Sequence, residues 1–439
     1  MPTDRSLPWW AQRLIELRRS QAWSPADLAR ELKKMRDDLP SVRSLTHMIQ
    51  MDWETGKHRP GPRYRLLLAA VYHKDEQQIF GDQNPAVLSQ PGHQPDPAIA
   101  DVAAVLRDDQ HDARADAGSA PALVEILAGY PAGTDPELTG PPPDITALEA
   151  AANNARRHYQ ACRYAELIQL LPQLLLRLRA ASMLLDGEAR NRAFILSADA
   201  YHVAAGLLLK LDDQGLAHLA ADRSMQAAQA SQDPVTLGAS ARIVTHALMR
   251  GGHLSAAAST ASSHAARLDH DVFSHSPESL SVYGSLLLRG AVAAAQDGRR
   301  GSAQDLLDES AAAAQQLSAD ANLRWTAFGP TNVKLHRVNA AVTLGDAGTA
   351  VQLAREIDPA TVTVTERKAT LLIDVSRAFL QWGRHDKAYA ALRAAEHVAH
   401  EEVAGRPSVH RMVRELIAAA PPSVRRDAAE FATQVGVST

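Results

Sequence analysis

Among 439 residues the chain has one cysteine, Cys162. That excludes an intrachain disulfide and any multi-cysteine metal site, and it fits a reducing cytoplasm. The common phosphate and metalloprotease strings are missing too: there is no G-x-x-x-x-G-K-[ST], no G-x-G-x-x-G and no H-E-x-x-H. β-Branched runs such as Thr361–Thr365 are brief, leaving almost no strand signal. No run approaches about 18 uninterrupted apolar residues, so no membrane span is expected. The N-terminus carries Asp4 and Arg5 without an apolar stretch, so no signal peptide is expected either. The one histidine cluster is His264, His270 and His275 with Asp269 and Asp271, placed in a loop between helices. Its spacings put no pair on one helical face, so no metal site is assigned. Cys162 reads as a small apolar filler at a packed turn. Neither enzyme chemistry nor a cofactor is expected.

What is present is helix. Length and a hydrophobic content of 46% provide for two or more domains with sizeable cores. The net charge of −4 hides an asymmetry: residues 1–80 hold 14 Lys+Arg against 10 Asp+Glu, and the remainder 32 against 40. A basic head on an acidic body suits nucleic acid at one end and another partner elsewhere. Composition divides the chain into a head over 1–82, a Pro/Gly-rich linker over 83–143 and a helical body over 144–439. The linker contains one expected helix, Pro97–Arg114.

The body repeats. A small residue is followed five positions later by alanine at Gly252/Ala257, Gly298/Ala303, Gly345/Ala350 and Gly383/Ala388, with weaker copies at Cys162/Leu167 and Asp212/Ala217. Positions 162, 212, 252, 298, 345 and 383 are separated by 50, 40, 46, 47 and 38 residues. Each unit reads as a helical hairpin that buries its apolar faces only by stacking on its neighbours. This resembles tetratricopeptide repeats, whose usual period is ~34 residues. The longer periods imply longer helices or loops.

In the head, Trp10, Leu14 and Leu17 form one apolar stripe, and Leu28, Ala29 and Leu32 a second. Ser24 before Pro25 is a helix-start signal whose free N–H groups suit a phosphate. In the third helix Leu45, Ile49 and Trp53 fall at i, i+4 and i+8 and should face the core. The opposite face carries Arg43, Ser44, Thr46, His47 and Gln50, able to read base edges in a major groove. Lys57, Arg59, Arg63 and Arg65 would supply charge for the phosphate backbone.

The string Trp53-Glu54-x-Gly56-x-x-Arg59-Pro60 resembles the end of the recognition helix in repressors of the xenobiotic-response-element type. Phe328–Val333 and Leu344–Gly348 resemble segments of actinobacterial regulators that join such a head to a tetratricopeptide-like body. The turn over Lys34–Pro40 is longer than in compact repressors. The resemblance implies an all-α fold, a helix-turn-helix domain followed by a tetratricopeptide-like α-solenoid. It also implies a cytoplasmic transcriptional regulator that binds double-stranded DNA as a homodimer. The alternative is a protein–protein scaffold or adaptor with the head as docking module. Carried onto this chain, the repeat's ligand-contact positions fall on Asp199, His202, Arg242, His246, Met249, Arg250 and Arg289 in the earlier hairpins. In the later ones they fall on Asn332, His336, Asn339, Asp374 and Arg377. A polar strip with several arginines suits a peptide or small anionic ligand.

Overall fold

The computed structural model describes residues 7–80, 121–129 and 143–437, apart from 22, 36–38, 40, 58, 61, 75, 272–275 and 318. Among these, 82% are helical and no strand occurs. The chain forms two compact units, residues 1–112 and 113–439.

Among the described residues, five helices build the N-terminal unit: α1 Trp9–Ser20, α2 Pro25–Met35, α3 Val42–Met48, α4 Pro62–Val71 and α5 Glu76–Phe80. A π turn, Ile49–Trp53, prolongs α3. The apolar spacing explains the core: Leu14, Leu17, Leu28, Leu32, Leu45, Ile49 and Trp53 are buried together with Leu68, Ile79 and Phe80. Both polar starts are used. The Ser24 hydroxyl and backbone N–H donate to the Asp27 carboxylate, and Asp27 N–H returns a bond to Ser24 Oγ. Ser41 Oγ accepts from Ser44 N–H at the start of α3.

The second unit begins with α6, Pro121–Ala128, and continues as α7 Ile145–Gln160, α8 Tyr164–Leu184, α9 Gly187–Lys210, α10 Gln214–Ser231, α11 Pro234–Arg250 and α12 Leu254–Asp271. Then come α13 Pro277–Gln296, α14 Arg300–Leu317, α15 Pro330–Thr343, α16 Ala347–Arg355, α17 Thr365–Gln381 and α18 His385–Val398. A short α19, His400–Ala404, precedes α20 Pro407–Ala419 and α21 Pro422–Gln434. The Pro/Gly-rich stretch is thus not all connector. Helix α6 packs on α8 and α10, burying Leu123 and Leu127, and Arg179 and Arg223 donate to its Ile126 and Gly129 carbonyls. The expected helix Pro97–Arg114 lies outside the described residues.

Six of the hairpin turns share one device. Cys162, Asp212, Gly252, Gly298, Gly345 and Gly383 all take φ between 57° and 83°. In five of the six, that residue's N–H bonds three residues back and the next N–H five back, for example Gly252→Met249 and His253→Leu248; at Asp212 only the longer bond, Asp213→Leu208, is seen. This left-handed cap satisfies carbonyls that the first helix of each pair leaves open. The residue five positions on is sealed in every copy: Leu167, Ala217, Ala257, Ala303, Ala350 and Ala388 are 0–1% exposed. In the five copies with alanine, the small side chain lets the second helix close on the first.

First helices also stack on first helices, α7 on α9, α9 on α11, and so on through α13, α15 and α17. The series curls until α17 meets α7. Lys210 at the end of α9 fastens that closure: its Nζ lies 2.9 Å from Glu366 of α17 and 2.7 Å from Glu402 of α19. Tyr164 donates to Glu402 as well, and Gln160 and Asn322 exchange side-chain bonds.

Helices α8 and α9 are long and apolar enough to cross a membrane by length and composition, with 39% and 83% of those windows buried in this fold. One sequence expectation is corrected here. His264, Asp269, His270 and Asp271 lie within helix α12 rather than a loop, while His275 is outside the described residues. No group of ligating side chains positioned for a metal occurs among the described residues.

Candidate nucleic-acid face and candidate ligand-binding inner face

On α3 the alternation of roles is complete within two turns. Leu45, Ile49 and Trp53 point into the core, while Arg43, Ser44, His47 and Gln50 are exposed. Arg43, His47 and Gln50 fall at i, i+4 and i+7, one ridge along the helix. Met51 beside them is 52% exposed. Thr46 is half-buried and its hydroxyl donates to the Val42 carbonyl at 2.7 Å; the Ser44 hydroxyl lies 3.0 Å from that of Ser41. These two therefore serve the helix as well as its surface.

The string that carries the family resemblance is largely a brace. Trp53 packs on Tyr64, ring centroids 5.0 Å apart. Glu54 takes a two-pronged bond from Arg18 of α1, Nη2 to Oε2 at 2.8 Å, while Arg18 also donates to the Trp23 carbonyl. Gly56 has φ +68°, and a Cβ there would stand 2.5 Å from Pro8 Cδ. Arg59 donates to the Phe80 carbonyl and lies over the Phe80 ring. Of the basic residues expected to reach phosphates, Lys57 is exposed and Arg59 is engaged with α5. Arg65 is 3% exposed, too buried for a backbone contact. The Arg63 side chain lies outside the described residues. At the start of α2 the Ser24 N–H and hydroxyl donate to the Asp27 carboxylate, while the Asp27 N–H donates to Ser24 Oγ and the Leu28 N–H to the Ser24 carbonyl; the bonds from Ser24 hold the Asp27 carboxyl down at about 2.

In the body, the polar strip separates into two groups. Asn339, Asp374 and Arg377 engage one another: Asn339 Nδ2 donates to Asp374 at 2.8 Å, and Arg377 lies 3.5 Å from Asp374 and donates to Thr343. They tie α15 to α17. Arg250 similarly pairs with Asp212, and Met249 is buried in an apolar cluster. The second group faces inward. Arg242 and His246 of α11, Arg289 of α13 and His336 of α15, from three first helices, lie within reach of the same group of arginine charges. Burial, then Arg289 and its fellow arginines, pushes Arg242 down to about 9. Burial and Arg367 push Arg289 to about 10. Burial and the same arginines hold His202 and His246 well below their ordinary value and His336 at about 3. These histidines are therefore neutral at pH 7.

Sequence reasoning missed half of this inner face. Arg156 and Arg324 share Asp199; Arg367 lies beside Glu366, and Arg406 binds Glu402 at 2.7 Å. One signal was available: Lys210 ends the apolar run Gly206-Leu207-Leu208-Leu209, where a lysine demands a partner. Compared with known proteins, no family model, no curated protein and no solved structure matches the chain.

Proposed function

We propose that the chain is a sequence-specific DNA-binding transcriptional regulator. Its N-terminal unit acts as a helix-turn-helix reader. Its tetratricopeptide-like body senses a peptide or small molecule or mediates dimerisation. One observation carries the reading of the head: a single helix seals Leu45, Ile49 and Trp53 in the core while presenting Arg43, His47 and Gln50 on an exposed ridge. Side chains of that kind match the donor and acceptor pattern of a major groove, and exposed Met51 suits a thymine methyl. Two such heads are needed for typical specific affinities, which favours a homodimer on a two-fold operator.

The test is selection from random duplexes, followed by titration of His47→Ala and Gln50→Ala against selected and scrambled sites. Each variant should lose ~1–3 kcal/mol of discrimination if it makes a bidentate base contact. Lys57→Ala should weaken binding to both sites and flatten the salt dependence. Unaltered discrimination in both base-face variants would sink this assignment of the reading helix. No selectable duplex at all would favour the adaptor reading.

A further inference from the structure

Each carboxylate on the inner face of the body already serves cations: Asp199 two arginines, Glu366 Lys210 and Arg367, Glu402 Lys210 and Arg406, and Asp374 Arg377. Arg242 and Arg289 have none. Arg242 Nη2 donates only to the neutral His202 ring, Nε2 at 3.0 Å, and its own Nε is buried without a partner. Arg289 has no hydrogen bond or ion pair among the described residues. They lie on α11 and α13, adjacent first helices that pack directly on each other.

Both side chains are partly buried; withdrawing a guanidinium from water without an anion is unfavourable, and withdrawing two whose fields repel is more so. We infer that Arg242 and Arg289 together bind a small multivalent oxyanion, a phosphate ester or a polycarboxylate, inside the closed body. The planar forks of two arginines match such groups bidentately, which a lysine pair would not. With the histidines neutral, the arginines carry the positive charge there. The same field that lowers both guanidinium pKa values would be relieved by the anion. Closure of α17 and α19 onto α7 and α9 favours a small ligand over a polymer, since a threaded chain would have to open the Lys210 fastening. The proposal deepens the sensor reading and rests on it for any consequence at DNA, though not for binding itself.

The experiment uses the full chain, at ionic strength held constant with potassium chloride. Pyrophosphate and citrate are titrated separately by calorimetry and by thermal shift. Saturable binding of either supports the site, and whichever binds tighter identifies the phosphate or polycarboxylate class. Arg289→Met and Arg242→Met should each weaken that binding about tenfold or more, the loss of one charge-assisted fork. Arg289→Met should also raise the ligand-free melting temperature, because an unpaired, partly desolvated charge is gone; an arginine with a purely structural role would lower it. Heat and thermal shift no greater than the chloride control for both anions, or undiminished binding in both variants, overturns the proposal. Duplex binding by the same samples is measured in parallel. Anion binding without DNA binding leaves the site standing and removes the regulator reading, and the reverse removes only the site.

Discussion

Head and body put polar residues at similarly regular helical positions, with opposite results. In the head, α3 faces its core with three apolar residues and leaves Arg43, His47 and Gln50 in solvent. In the body, Arg242, His246 and Arg289 occupy equally periodic places but are partly buried, and His336 is buried. The first pattern makes a surface that can meet a large polar partner at little desolvation cost. The second makes an interior where every charge acts strongly on its neighbours. Period shows which residues share a face. Only the curvature of the hairpin stack decides whether that face sees water.

The largest effect that would break this contrast is at Lys210. Its side chain is 7% exposed between Glu366 and Glu402, which is fully buried. Lys210→Ala should destabilise the body by roughly 3–5 kcal/mol, because two carboxylates lose their shared cation in a buried setting. Arg43→Ala, on the exposed ridge, should change stability by about 0.5 kcal/mol or less. Urea unfolding of both variants, followed by circular dichroism, decides the matter. Similar midpoints for the two would mean that the inner face is as wet as the outer one.

A pH series sharpens the contrast further. His202, His246 and His336 are neutral in the folded body, with His336 pushed to about 3 by burial and then by Arg367 and Arg289. In the unfolded chain each would protonate near ~6.5. The unfolded state therefore binds more protons, and stability falls as pH drops below that value. It continues to fall until the folded pKa is reached. Each such histidine contributes a slope of about 1.4 kcal/mol per pH unit. His336→Asn should remove one such increment between pH 6 and 4.5. Coincident pH profiles for His336→Asn and the parent chain would show that the ring is solvated.

How much of this was legible depended on whether a residue acts within its own hairpin. The turn residues at 252, 298, 345 and 383 and the sealed alanines five positions on are local requirements, fixed by backbone handedness and helix proximity. The three head stripes are local too. Charge pairing is not: Lys210 finds Glu402 192 positions away, and Tyr164 finds it 238 away. No spacing rule joins such residues, because their meeting depends on the summed rotation of several hairpins. The same holds for Arg18 and Glu54, 36 apart, where the sequence shows an exposed-looking motif and the fold uses it as a brace.

The smallest effect separates two glycines that look alike in sequence. Gly56 closes α3 with φ +68°, and Gly298 closes α13 with φ +71°. Alanine in the left-handed region costs roughly 1–2 kcal/mol at either place. Around Gly298 a Cβ would meet nothing within 4 Å, so Gly298→Ala should show that backbone term alone. At Gly56 the Cβ would stand 2.5 Å from Pro8 Cδ and 3.7 Å from the Ala11 Cβ. Gly56→Ala must therefore also displace the chain entering α1, the helix whose Arg18 holds Glu54. The head should lose more stability than the body does from the matching change. Its α3 ridge should shift as well, weakening selected-site binding without any contact to DNA. Paired melting curves and titrations of the two variants check this. Equal losses would mean that Pro8 yields freely and that the α1 entry does not brace α3.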